Sequence, residues 1–260
     1  MKLKKSVVKF DYKNYNKTLL NVKKKIDRNG YCVLKNFNNL STHSKILDEI
    51  KKKYKVGKDV KFTGEQKLKN KDFQRLDIGN SFENARFMRV MSFYQWNKNN
   101  NFFFSLINPA IRFRNKLSKV AKENFIYPNV KPIVNRLHNK DYIYAEFVRM
   151  IQYPLGGGFL AEHHDYTKYY GKGIIGMLIP LTFKNTSKNK KYDKYSDGGL
   201  YLKNKNNSLF VDDITGIGDI IFFNPKIKHG VKSVNPKSPN NMKTLNGRLT
   251  LAFSVSRFRI

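Results

Sequence analysis

Apolar residues recur along this chain with two different periods, and the change between them falls near residue 142. Before it the spacing is helical. Leu19, Leu20, Val22 and Ile26 lie among lysines over residues 15–28, a pattern that predicts an amphipathic helix stopped by Gly30. Tyr31 to Phe37 reads as a short strand, and Ser41-Thr42 is expected to cap a second helix with Ile46, Leu47 and Ile50 inward. Residues 56–80 show no period and are expected to form a long loop. Phe104, Ile107, Ile111 and Leu117 give a helical stripe over 103–121.

After residue 142 the period falls to two. Short β-branched and aromatic runs follow one another: Tyr142–Tyr153, Phe159–Tyr166, Ile174–Phe183, Gly199–Leu202, Ser208–Val211, Asp219–Phe223, Gly230–Val234 and Arg248–Phe258. Turn residues separate them, among them Gly171-Lys172-Gly173 and Thr215-Gly216-Ile217-Gly218. Eight such strands suit a double-sheet jelly roll (a double-stranded β-helix), which holds its ligand cavity between the sheets. The expected fold is mainly β with flanking helices, in one domain over 1–260. Residues 1–141 supply helical and loop support and a lid, and 142–260 form the jelly-roll core. Two insertions interrupt that core, the lysine-rich Asn185–Ser196 and the segment Asn235–Asn246.

One constellation within the strands carries chemistry. In an extended strand, residues i and i+2 face the same side, so His163 and Asp165 can reach one ion while His164 points away. His229, 64 residues after Asp165, must come from a different strand. Two imidazoles and one carboxylate suit a non-haem Fe(II) centre with open positions. Zinc accepts the same donor types, but no HExxH or similar catalytic-zinc motif is present. Glu162 shares the parity of His164 and is a poor substitute for Asp165. The other two histidines, His43 and His138, read as ordinary packed side chains. Gly156-Gly157-Gly158 lacks the Lys-Ser/Thr and helix of a phosphate loop, and reads as a bend beside the active-site mouth. Asp197, before Gly198-Gly199, reads as a turn residue.

The flanking residues extend the pattern. Tyr153-Pro154-Leu155-Gly156-Gly157-Gly158-Phe159-Leu160 leads into His163 and Asp165, followed by Asp197-Gly198-Gly199-Leu200-Tyr201-Leu202 and Gly218-Asp219-Ile220-Ile221-Phe222-Phe223. His229-Gly230-Val231 and Gly247-Arg248-Leu249-Thr250-Leu251-Ala252-Phe253 complete the series. Over residues 145–258 this order resembles the 2-oxoglutarate- and Fe(II)-dependent dioxygenases, in particular the prolyl-4-hydroxylase-like branch.

The resemblance implies His163, Asp165 and His229 as metal ligands and catalytic centre. It implies Arg248, with Thr250 and Tyr153, as the group that holds the distal carboxylate of 2-oxoglutarate. The step from His229 to Arg248 is 19 residues, longer than the family pattern, and the Asn235–Asn246 insertion accounts for the excess. Arg257 and Arg259 are lower-ranked rivals. The implied cofactors are Fe(II), 2-oxoglutarate as co-substrate and O2, with ascorbate as an optional supporting reductant. The implied reaction is hydroxylation of a small-molecule, sugar or peptidyl substrate with release of succinate and CO2. Two alternatives stand beside it: a nucleic-acid oxidative demethylase, and a non-catalytic jelly-roll binding protein. The demethylase branch carries an Arg-x-Asn-x-Thr-x-Arg pattern that Arg248–Phe253 lacks. For substrate contacts, Arg75, Arg86, Arg89 and Trp96 are the first side chains to consider.

Charge modifies this picture less than its size suggests. Lys and Arg number 51 against 19 Asp and Glu, for a formal +32, yet only 11 of the 51 are Arg. The lysines spread along the whole chain and rise together with Asn, which points to compositional drift. A dedicated phosphate-binding face would favour the planar fork of Arg, so a specific nucleic-acid partner is not expected. The single cysteine, Cys32, excludes an internal disulfide and reads as an inert core residue. With no apolar run of membrane-spanning length and a charged, unhydrophobic start, a cytoplasmic location is the expectation.

Overall fold

The structure, a computed structural model, describes residues 6–56, 73–80, 83–95, 97–119, 142–165, 174–185, 191–204 and 207–259. Two sheets face each other. The larger runs, in spatial order, Val7–Lys9 (β1), Tyr31–Lys35 (β2), Ile220–Phe223 (β13), Gly176–Pro180 (β8), Arg248–Arg259 (β15), Tyr142–Tyr153 (β6), Met88–Tyr94 (β5) and Phe73–Ile78 (β3). The smaller runs Asn207–Phe210 (β12), Gly199–Asn204 (β11), Lys228–Val234 (β14), Gly158–His163 (β7) and Ala85–Arg86 (β4). Phe183–Lys184 (β9) and Asp193–Tyr195 (β10) pair separately.

Strand alternation sorts the apolar residues into two cores. On β2, Cys32 and Leu34 face the helices while Tyr31 and Val33 face the smaller sheet. The outer core joins the large sheet to helices Tyr15–Asn29 (α1), Leu40–Val56 (α2) and Asn101–Ser118 (α3). The inner core lies between the sheets, where Tyr153, Ile221 and Phe223 meet Leu200, Leu202 and Val231. Helix α1 buries Thr18, Val22 and Ile26 at four-residue spacing and ends on Gly30 in the left-handed conformation, whose N–H donates to Ile26 O.

Several sequence expectations change. The cap of α2 is Asn39, whose side chain accepts from Thr42 N at 2.8 Å, and Ser41 and Thr42 lie inside the helix. The stretch expected as a loop over 56–80 contains strand β3, with 57–72 outside the described residues. Residues 1–141 do more than supply helices and loops: β1, β2, β3 and β5 make up half of the large sheet. Of these, β2 was read from the sequence; β1 was hidden because it is short, and Met88–Tyr94 because it is buried along nearly its whole length and lacks alternation. No helix among the described residues is long and apolar enough to cross a membrane.

Candidate metal centre

His163 closes β7 and His229 is the second residue of β14, and the two are cross-strand partners with ring centroids 4.3 Å apart. The pairing slips by one residue between Leu160 and His163, so both Leu160 and His163 turn inward. Strand parity alone therefore does not place the motif. Asp165 lies two residues past the end of β7, where its N–H donates to Pro225 O at 3.1 Å. It meets the histidines by this anchored turn, where the sequence implied a shared strand face. His163 Nε2 is 3.6 Å from Asp165 Oδ1, and His229 Nε2 is 3.5 Å from Asp165 Oδ2. All three donor atoms fall within 4.8 Å of one another.

The imidazoles are set for ligation. His163 Nδ1 donates to Ala161 O at 2.9 Å and His229 Nδ1 to Ile227 O at 3.1 Å. A carbonyl accepts only from N–H, so each Nδ1 carries the proton and each Nε2 presents a lone pair to the carboxylate. Burial pushes the His229 imidazole below its ordinary range, which keeps it neutral, although Asp165 opposes the shift. Three acceptors thus converge with no donor between them, an arrangement that a cation resolves. Donors on one first-row divalent ion lie about 2.0–2.2 Å from it and hence at most about 4.4 Å apart. The two distances to Asp165 satisfy this, and the N/O donor set fits iron. His164 is exposed, and Glu162 pairs outward with Lys203 at 3.0 Å and Lys228 at 3.4 Å.

Deeper between the sheets, Arg248 and Tyr153 are register partners on β15 and β6, with the guanidinium 5.7 Å from the ring centre. Burial raises the Tyr153 phenol to about 12, so it stays protonated and can donate. Arg248 is not a waiting, unengaged fork. Its Nε donates to Asp212 Oδ2 at 2.6 Å and its Nη2 to Asp212 Oδ1 at 3.1 Å, with both residues 2% exposed. Burial works against the guanidinium charge, but Asp212 beside it more than offsets that and holds Arg248 protonated above its ordinary value. Thr250 is also engaged: its hydroxyl donates to Ile179 O at 3.2 Å, which leaves only acceptor capacity toward a ligand carboxylate. The proposed assistance by Thr250 does not follow from this geometry.

No protein-family model matches the sequence, and neither does any curated protein sequence. Solved structures do. A Pseudomonas putida prolyl-4-hydroxylase superposes with TM-score 0.53 at 11% identity, covering 90% of this chain and 96% of its own. A Trichoplax adhaerens prolyl hydroxylase, in complex with a hypoxia inducible factor peptide fragment, gives 0.54 at 15% identity over 94% and 92%. The Arabidopsis thaliana dioxygenase for auxin oxidation 1, bound to 2-oxoglutarate, gives 0.53 at 12% identity over 95% and 91%. The fold is that of the 2-oxoglutarate/Fe(II) oxygenases.

Within this oxygenase fold the sequence left three nearby residues unread. Asp212 sits in the 3-10 turn Val211–Ile214, where no motif or period marks it. Tyr195, whose OH donates to Asp212 Oδ2 at 2.8 Å, belongs to the lysine-rich insertion. Arg149 was legible in principle. It lies four residues before Tyr153 on β6, on the same face, and its charge acts on both Tyr153 and Asp165.

Of the other sequence candidates, Arg89 is buried among Asp77, at 2.6 Å through both Nε and Nη2, and Tyr54. It faces the helix side, away from the metal centre, because it shares parity with Met91 and Phe93. Arg86 lies over Phe159 at the edge of the small sheet. Trp96 and His138, and the side chains of Arg75, Arg257 and Arg259, lie outside the described residues. The Gly156–Gly158 turn is at the opposite end of β7 from His163, so it does not border the metal centre; it packs on Ser238 and Asn240 of the second insertion.

Proposed function

We propose that this protein is an Fe(II)- and 2-oxoglutarate-dependent dioxygenase that hydroxylates a small-molecule, sugar or peptidyl substrate and releases succinate and CO2. The observation that carries the reading is the set of three convergent acceptors at His163, Asp165 and His229, with both histidine tautomers fixed by backbone carbonyls. Three ligands on one face leave positions for co-substrate and oxygen. The metal, when bound, supplies the activation of O2 coupled to decarboxylation of the 2-oxo acid.

The residues of the chain do the rest. His163, Asp165 and His229 hold the ion at the rim, where Asp165 is exposed. Tyr153 and Arg248 form a buried polar end further in, suited to the distal carboxylate of 2-oxoglutarate. The apolar walls of the inner core, Leu200, Val231 and Phe223 among them, keep water from that end. The peptide carried by the Trichoplax adhaerens enzyme supports keeping a peptidyl substrate in the class.

The test is binding followed by turnover. Anaerobic Fe(II) with 2-oxoglutarate is expected to give the weak visible band of the chelated 2-oxo acid. Asp165→Ala and His229→Ala should each lose that band and succinate formation while keeping the far-UV spectrum and unfolding midpoint near wild type. Full turnover in Asp165→Ala would sink the assignment.

A further inference from the structure

Asp212 accepts four hydrogen bonds from three residues. Its Oδ2 accepts from Arg248 Nε at 2.6 Å, Tyr195 OH at 2.8 Å and Leu200 N at 2.7 Å, and its Oδ1 accepts from Arg248 Nη2 at 3.1 Å. A carboxylate so fully satisfied and 2% exposed is not free to swing aside for a ligand. The guanidinium has a second edge. Planar Arg carries five N–H donors, and a carboxylate on the Nε/Nη2 side leaves both Nη1 protons and one Nη2 proton. That remaining end shares the inter-sheet interior with Tyr153, which itself lies within electrostatic reach of both Asp212 and Asp165.

Resting on the co-substrate reading above, we infer that Asp212 is a positioning residue. It grips the side edge of Arg248, with Tyr195 as its brace, and aims the Nη1/Nη2 end at the distal carboxylate of the 2-oxo acid. It also cancels the charge of Arg248 in the ligand-free protein, so the anchor can stay buried and rigid with no ligand present. Preorganisation of this kind lowers the ordering cost of binding.

The experiment compares two 2-oxo acids on anaerobic Fe(II)-loaded protein. 2-Oxoglutarate has the distal carboxylate, and pyruvate has the same metal-chelating end without it. Titration of the chelate band gives an affinity for each. Asp212→Asn keeps the size of the side chain but cannot accept all four hydrogen bonds. It is expected to weaken 2-oxoglutarate about ten- to a hundredfold, the range seen when an orienting partner is lost, and to leave pyruvate unchanged. A merely structural role would move both acids together, and that result, or an unchanged 2-oxoglutarate affinity, would overturn the inference. Tyr195→Phe removes only the brace and should weaken 2-oxoglutarate alone by a few-fold. If Asp212→Asn does not fold, no change in this milder variant overturns the inference as well. Arg248→Gln separates the two readings. If it abolishes the preference for 2-oxoglutarate while Asp212→Asn does not, Arg248 stands as the anchor and only the role of Asp212 falls. A wild type that binds both acids equally brings down both.

Discussion

His43 shows how a single side chain can carry pH dependence without touching the metal centre. It is buried on α2, stacks on Phe183, meets Tyr192 edge-on, and donates from Nε2 to Leu181 O at 3.1 Å. Burial drives its pKa down to about 4. Because the folded pKa lies below the unfolded one, the unfolded chain takes up the proton first as pH falls. The contribution is therefore intact above about pH 6.5 and is lost progressively from there to about pH 4. A depression from 6.5 to about 4 corresponds to roughly 3 kcal/mol, at about 1.4 kcal/mol per pKa unit. His43→Leu should be less stable than wild type at pH 7, with the gap closing by up to that amount toward pH 4. Urea midpoints for both proteins at several pH values check this, and a gap independent of pH would refute it. Cys32, buried nearby in the outer core, has its thiol pushed up to about 12 and remains an inert packing residue.

At the scale of elements, the joint between β2 and β13 supports the metal centre from behind. Asp219 immediately precedes β13 and accepts from Asn36 N at 3.0 Å and Gly216 N at 2.7 Å, and it pairs with Lys35. Gly218 precedes it at φ +78, and a Cβ there would be driven into the backbone oxygen of Asn38. Asn38 N in turn donates to Gly218 O at 2.9 Å, so neither segment can retreat without breaking the joint. Strand β13 ends in Phe223, whose ring lies 4.9 Å from that of His229. Gly218→Ala is expected to destabilise the fold by about 2–4 kcal/mol through combined strain and contact. Chemical denaturation should show the loss as a lower midpoint at unchanged slope, and a stability within 0.5 kcal/mol of wild type, about the size of a neutral surface change, would refute the argument. Gly230, between His229 and Val231, answers to packing instead of backbone angle: Tyr201 OH and Leu160 O occupy the space a Cβ would need.

For the molecule as a whole, the charge of +32 sets solution behaviour without specifying a partner. The basic residues that the structure ties down are engaged locally, as in Lys203 and Lys228 on Glu162 and Lys184 on Asp213 at 2.7 Å. A diffuse lysine surface should bind duplex DNA weakly, without sequence preference, and with an affinity that falls steeply with salt. Fluorescence anisotropy across a salt series tests this. Tight binding selective for a sequence or a lesion near physiological salt would instead promote the demethylase alternative.

The sequence by itself determined the part of the protein that obeys short-range rules. The period-two runs after residue 142 matched strands because alternation reflects one strand lying between two different surfaces, and β6 and β15 begin where the pattern begins. The candidate metal donors were legible because His163, Asp165 and His229 sit in a motif whose order is linear. Tertiary structure alone decided how those donors meet, through a slipped β7–β14 register and a turn anchored on Pro225. It alone supplied β1, β3 and β5 to the large sheet, since very short strands and strands buried on both faces carry no alternating signal. It alone joined Arg248 to Asp212, 36 residues away, and Asp212 to Tyr195 from the lysine-rich insertion. A hydrogen bond between distant residues leaves no periodic trace in either one, because it depends on where two folded segments come to lie and not on the neighbours each has along the chain.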